Sequence, residues 1–231
     1  ILRMRGWRSL YTMVASHLKH PKLRIAMSLQ SLLIGGNPFS VTCVYSLINS
    51  LERLWGVHWA MGGTGALVQG LASLLNGLGG TLRCNAEVRR IEVVEGRTTG
   101  VTLASGEFIA ADIVVSNADT AWTYRNLIAP EHRRHWTDKR IDKGRYSMSL
   151  FVWYFGTNRQ YPDVPHHTIL MGPRYRELLH DIFEKKILAK DFSLYLHRPS
   201  ATDTSVAPPG CDAFYVLAPV PHLGSGTDWN S

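Results

Sequence analysis

Acidic residues are missing from the front of this chain: no Asp or Glu precedes Glu52, although Arg3, Arg5, Arg8, Lys19, Lys22 and Arg24 all lie there. Cysteine is scarce as well. Cys43, Cys84 and Cys211 are far apart, odd in number and outside any C-x-x-C spacing, which argues against a disulfide framework or a cysteine zinc site and fits a reducing, cytoplasmic setting. The histidines offer no second ligand set at motif spacing, so no metal is expected. No apolar run approaches the ~18 to 20 residues a spanning helix requires, and recurring arginines are unlike a signal peptide. No nucleophile triad or carboxylate pair is evident, and no catalytic acid or base is assigned.

What is present describes a folded chain. With 45% hydrophobic and 19% charged residues over 231 positions, one sizeable core or two small ones can be buried. The net charge of +7 points to an anionic partner, either nucleic acid or the phosphates of a membrane surface. Nucleic acid is disfavoured, because the chain has no reader motif and no basic segment interleaved with stacking aromatics.

The front segment, residues 1–56, predicts three helices. Met4, Trp7, Tyr11, Val14 and Leu18 recur at helical spacing opposite Arg5, Arg8, Thr12, Ser16 and Lys19. Pro21 suits the first turn of a second helix to about Ile34, ended by Gly35-Gly36-Asn37-Pro38. A third, from Pro38 to near Gly56, is apolar around much of its circumference, which predicts burial on more than one side. Two readings of the basic first helix stay open: a segment lying in a membrane surface, or a core-facing helix with a solvated basic face.

In residues 57–130, a short strand Gly56 to Ala60, the loop Met61-Gly62-Gly63-Thr64-Gly65 and a helix Ala66 to Leu75 invite a dinucleotide reading. Counted from Gly63 and Gly65, the third glycine position holds Val68, so the fingerprint fails. Thr81 to Cys84, Val88 to Val94 and Thr99 to Leu103 read as a small antiparallel sheet. Ala111 to Ser116 reads as a short buried strand, with Asp119 capping a helix Thr120 to Ile128. Residues 131–231 predict strands at Tyr146 to Gly156, His166 to Met171, Phe192 to His197 and Ala213 to Ala218, with a helix across Arg174 to Lys190. Arg174 and Arg176 read as its solvated start or as phosphate contacts. His166, His167, His197 and His222 read as strand-end residues or as residues facing a ligand.

Gly62-Gly63, Gly79-Gly80, Val88-Arg89-Arg90-Ile91, Gly100-Val101, Ser105-Gly106 and Ala111-Asp112-Ile113-Val114 together resemble the amine-oxidase-like flavoproteins. Ser31 to Phe39, Leu51 to Val57, Gly62 to Val68, Ser116 to Asp119, Ser149 to Val152, Gly172 to Glu177, Asp191 to His197 and Val216 to Leu223 look like the bacterial and fungal phytoene desaturases. These blocks run through nearly the whole chain in order; Ala60-Met61 departs from the family pattern before the glycines.

The resemblance implies an α+β or α/β fold. The chain would be an internal piece of a two-domain flavoprotein, with a helical front segment (1–56), a partial FAD domain (57–130) and a partial mixed-sheet substrate domain (131–231). It also implies FAD as cofactor, approached by Gly62, Gly63, Val88, Ser116, Asn117 and Ala118. The activity implied is desaturation of phytoene toward lycopene, at the cytoplasmic face of a membrane. Phe39, Tyr45, Trp59, Phe151, Trp153 and His167 are the candidates to line the substrate route. A related carotenoid desaturase, isomerase or ketolase, or a non-catalytic membrane-binding module, remains an alternative. Neither the N-terminal glycine-rich FAD fingerprint nor the C-terminal glycine-rich block of the family occurs here, so weak FAD binding is expected of this piece alone. The sequence has no bearing on oligomeric state.

Overall fold

The computed structural model describes residues 5–229; Arg3, Met4, Asn230 and Ser231 lie outside them. Along the chain come α1 (Leu10–Ala15), α2 (Pro21–Ala26), a 3-10 segment Leu29–Ile34, α3 (Leu47–Trp55) and α4 (Gly63–Gly77). Strands β1 (Val88–Val94), β2 (Arg97–Leu103) and β3 (Phe108–Ala110) follow, then α5 (Thr120–Trp122), a π turn Thr123–Leu127 and α6 (Asp138–Asp142). The last part holds β4 (Ser149–Thr157), β5 (His167–Leu170), α7 (Tyr175–His180) with a π turn Asp181–Lys185, β6 (Leu194–His197) and β7 (Asp212–Val220).

The chain divides into two compact units, with the division falling inside α4. One unit takes the described residues up to Gly70 and from Tyr146 onward, so the front segment and the last third share it; the other runs from Leu71 to Arg145.

The first unit is built on an antiparallel sheet of order β4-β7-β6-β5. All four strands expected from sequence form, and every pairing is antiparallel, where a mixed sheet was expected. Tyr175, Leu178, Leu179 and Ile182 share one helical stripe and all are buried, as their spacing predicts. Leu178, Ile182 and Ala189 form the core cluster, with Met148 and Phe183 packed against it.

The front helices are shorter than expected, and the backbone accounts for it. Leu10 N–H donates to Val41 O at 2.9 Å and Cys43 N–H donates to Arg8 O at 2.9 Å, closing a bridge between Ser9 and Thr42. Residues 41 to 43 therefore bond across to the front strand of chain and cannot continue a helix from Pro38. The bridge also fixes where α1 starts, with the Ser9 hydroxyl accepting from Thr12 N–H at 3.1 Å as its cap. In α3 no residue is buried, and Leu54 and Trp55 are about 70% exposed, contrary to the burial its apolar circumference predicts. Gly56 to Ala60 is not a strand; His58 turns back to Trp55 O at 2.7 Å, and Trp59 and Gly62 are held by Asp203.

The second unit carries the sheet β1-β2-β3, also antiparallel, with Ile91 and Leu103 buried. At Gly100, φ is +151° and a Cβ would stand 2.1 Å from Ile109 O, so only glycine lets β2 and β3 close here. Asp119 caps α5 as expected, accepting from Trp122 N–H at 2.8 Å, but the helix passes into the π turn and stops at Leu127. Thr81 to Cys84 and Ala111 to Ser116 form no strand. Ile113 and Val115 are exposed at 81% and 88%, and no described strand pairs with them; a buried strand needs neighbours to take both rows of its backbone groups.

Candidate functional site

Directly paired residues of an antiparallel sheet point to the same side, and successive residues alternate. The register pairs Leu150 with Pro219, Val152 with Leu217, Tyr195 with Leu217, His197 with Tyr215, Ile169 with Tyr195, and His167 with His197. All of these occupy one face of the four-stranded sheet. Two cavities open on that face, and Tyr195 lines both.

The first cavity, about 210 Å³, is almost wholly apolar. Leu150, Ile169, Leu217 and Pro219 line it from the sheet, with Leu29 and Leu32 of the 3-10 segment and Leu178 and Leu179 of α7 also in its wall. Tyr175 also lines it; its hydroxyl is buried without a hydrogen-bond partner among the described residues, and burial raises its pKa. A volume of this kind suits an alkyl or polyene chain, because no group in its wall is charged.

The second cavity, about 440 Å³, is lined by Trp59, His166, His167, His197, Tyr195 and Tyr215 among others. His166 Nε2 lies 2.7 Å from His197 Nε2, His166 Nδ1 lies 2.5 Å from the Thr202 hydroxyl, and His167 Nδ1 lies 2.6 Å from the Tyr195 hydroxyl. His197 is 4% exposed and its Nδ1 has no partner among the described residues. Burial, then the neighbouring His166 and His167, push its pKa down to about 4. His166 is lowered by burial first and by His167 and Arg198 after it.

Two buried carboxylates frame this end. Asp203 accepts from Gly62 N–H at 2.6 Å, Trp59 Nε1 at 3.2 Å, Ser205 N–H at 3.0 Å and the Ser205 hydroxyl at 2.6 Å. The Ser205 hydroxyl and the Gly62 N–H hold its pKa at about 2. Asp212 sits beside Arg198 Nη1 at 3.0 Å, the Ser200 hydroxyl at 2.6 Å and Tyr161 N–H at 2.7 Å. Burial alone would raise its pKa; those donors keep it below the usual carboxylate range.

Of the residues expected to line a substrate route, Trp59 and His167 meet at the second cavity, Trp59 5.2 Å from His166 between ring centroids. Phe151 and Trp153 pair with Ala218 and Val216, which puts them on the opposite sheet face, where they are exposed at 58% and 59%. Phe39 is in neither of these cavities: its ring lies 4.6 Å from Tyr11, and Arg176 Cζ stands 4.0 Å above it. Tyr45 is 38% exposed and lines neither cavity. Arg176 is therefore a cation on aromatic rings, and Arg174 pairs with Asp181 and Asp191, so neither is simply solvated.

The expected cofactor contacts fall in both units. Gly62 and Gly63 have φ of +87° and +80°, and the Gly62 N–H is already taken by Asp203, so that donor does not face a phosphate. In the second unit Val88 opens β1, whose second edge has no partner strand among the described residues and is open to backbone contact. The Ser116 hydroxyl lies 2.9 Å from that of Thr123 and accepts from Ala118 N–H at 3.3 Å; Asn117 is exposed. Val88 thus lies on an open strand edge, while Ser116 to Ala118 form a local turn before α5.

The apolar lining residues Leu150, Leu217 and Pro219 were not singled out from sequence, although alternation along β4 and β7 carries the signal. Asp203 had none, because its partners Trp59 and Gly62 lie far away in sequence.

The family model described as flavin containing amine oxidoreductase matches residues 7–184. A neurosporene-forming phytoene desaturase of Cereibacter sphaeroides is 51% identical over 99% of this chain and 45% of that protein. A lycopene-forming phytoene desaturase of Pseudescherichia vulneris is 47% identical over 99% of this chain and 47% of its own length. A zeta-carotene-forming phytoene desaturase of Myxococcus xanthus is 38% identical over 99% and 44%. The chain thus spans a little under half the length of these curated relatives. The crystal structure of an oxidoreductase from Methanosarcina mazei superimposes with a TM-score of 0.67 at 18% identity, over 94% of this chain and 48% of that one. This likeness is one of fold.

Proposed function

Because this chain belongs to the flavin-containing amine oxidoreductase family, we propose that it provides the substrate framework of an FAD-dependent carotenoid desaturase acting on phytoene. The observation that carries this reading is the apolar cavity on the sheet face, set in a chain 51% identical along 99% of its length to a phytoene desaturase. Leu150, Ile169, Leu217 and Pro219 would bind the hydrocarbon by excluding water, at roughly 25 cal/mol per Å² of apolar surface removed from solvent. The Tyr195 ring bounds that cavity on its polar side. Val88, with Ser116 to Ala118 beyond it, would hold part of the FAD, which when bound supplies the hydride acceptor for the oxidation. No side chain of this chain is assigned the accompanying proton.

Peripheral attachment at the cytoplasmic face of a membrane belongs to the same proposal. It is supported by exposed Leu33, Ile34, Leu54 and Trp55 in a front segment rich in Lys and Arg, and by a substrate that resides in lipid. Among the described residues no helix is long and apolar enough to cross a membrane.

The test is carotenoid analysis of phytoene-accumulating cells expressing the full-length protein that contains this chain. Desaturated products are expected. Leu217→Trp, which fills the cavity, should cut product at least tenfold while flavin content stays unchanged. Full turnover by that variant, or phytoene left unconverted by the parent protein, overturns the reading.

A further inference from the structure

Histidine spacing along the chain predicts no metal site, yet the sheet brings three histidines together across strands. His167 pairs directly with His197 between β5 and β6, and His166 precedes β5. One ring nitrogen from each of the three lies within 4.8 Å of the others. We propose that His166, His167 and His197 bind a divalent transition-metal ion of the zinc class, with an open coordination position toward the cavity lined by Trp59 and Tyr215.

Two features support it. The outer nitrogens are already occupied: Nδ1 of His166 meets the Thr202 hydroxyl and Nδ1 of His167 meets the Tyr195 hydroxyl. When those nitrogens donate to the hydroxyl oxygens, each ring turns an Nε2 lone pair outward, which is how hydrogen bonds behind a ligand orient metal-bound imidazoles. Last, among the described residues none of the three imidazoles is tied to a carboxylate, so no salt bridge there has to break on metallation.

The 2.7 Å between Nε2 of His166 and Nε2 of His197 is a hydrogen-bond separation. Zinc–nitrogen bonds of about 2.0–2.1 Å in a tetrahedral arrangement put ligand nitrogens roughly 3.3 Å apart, so these two rings would part by about half an ångström. His167 would move inward. Both shifts lie within side-chain rotation, since His167 is exposed and faces the cavity. Three protein ligands with a fourth position open to a cavity make a site at which water or a ligand oxygen can also coordinate. The proposal is independent of the flavin reading, because no residue assigned to FAD takes part.

The test uses the full-length protein that contains this chain, without a polyhistidine tag, stripped with chelator and titrated with zinc against a chromophoric competitor. One equivalent should bind. His166→Gln and His167→Gln should each weaken binding at least tenfold, whereas His222→Gln, outside the cluster, should leave it unchanged. Both ligand variants alter rings that are not fully buried, and circular dichroism checks that they fold. Cobalt in place of zinc should give visible absorption of a low-coordinate nitrogen-ligated ion, lost in the same two variants. Absence of stoichiometric binding, or binding that His166→Gln and His167→Gln leave untouched, overturns the proposal.

Discussion

On the four-stranded sheet the carboxylates Asp203 and Asp212 are buried and ringed by donors, whereas on the three-stranded sheet Glu107 meets Arg83 at the surface. Each sheet is antiparallel throughout, so topology does not explain the contrast. The first sheet must hold long loops against its face, and a buried carboxylate with three or four donors does so directionally. The second is a compact meander whose strands follow one another in sequence, and its turns already fix its shape. Asp203 in this way joins chain segments more than 140 positions apart, whereas the surface pair of Arg83 and Glu107 spans 24.

That contrast can be broken most severely at Asp212. Asp212→Ala leaves Arg198 buried without its partner and should cost about 3–5 kcal/mol in urea unfolding, the usual penalty for orphaning a buried charge. A loss well under 1 kcal/mol would mean the carboxylate does not organise this face. Leu178→Ala probes the apolar alternative in the same unit and should cost about 3 kcal/mol, from lost burial and the cavity left behind.

A pH series sharpens the comparison with a smaller effect. The unfolded His197 binds a proton near pH 6.5, while the folded ring resists it until about pH 4. Between those values the unfolded state holds more protons, so stability is complete above pH 6.5 and falls as the pH drops toward 4. The loss should reach at most about 3 kcal/mol near pH 4, and His197→Leu should flatten the profile if it folds. The smallest effect is expected at Glu107→Gln, where both partners are about half exposed. Its unfolding midpoint should match the parent at physiological salt; a clear drop would show that surface pairs carry the second sheet after all.

Strands were legible where local composition and alternation carry the signal: β1 with β2, and the aromatic and β-branched runs of β4 to β7. The stripe Tyr175, Leu178, Leu179 and Ile182 was legible for the same reason, since spacing alone determines which side of a helix is apolar. The front was not. The bond from Cys43 N–H to Arg8 O joins residues that no local periodicity connects, and it shortens both flanking helices. Ala111 to Ser116 reads as a strand by composition, but strand formation depends on neighbours that composition does not contain. At the site, residue type pointed to Trp59 and His167, which do meet, and equally to Phe151 and Trp153, which the register sends to the far face. Choosing between two faces requires the pairing register, because a one-residue shift exchanges them.

Tyr195 belongs to both cavities, with alkyl side chains on one side of it and imidazoles on the other. A surface that changes character at one ring has a direction. A long guest molecule whose two halves are identical would lose its symmetry on such a surface, one half lying among leucines and the other stopping at the imidazoles. The protein would then distinguish left from right in a molecule that does not.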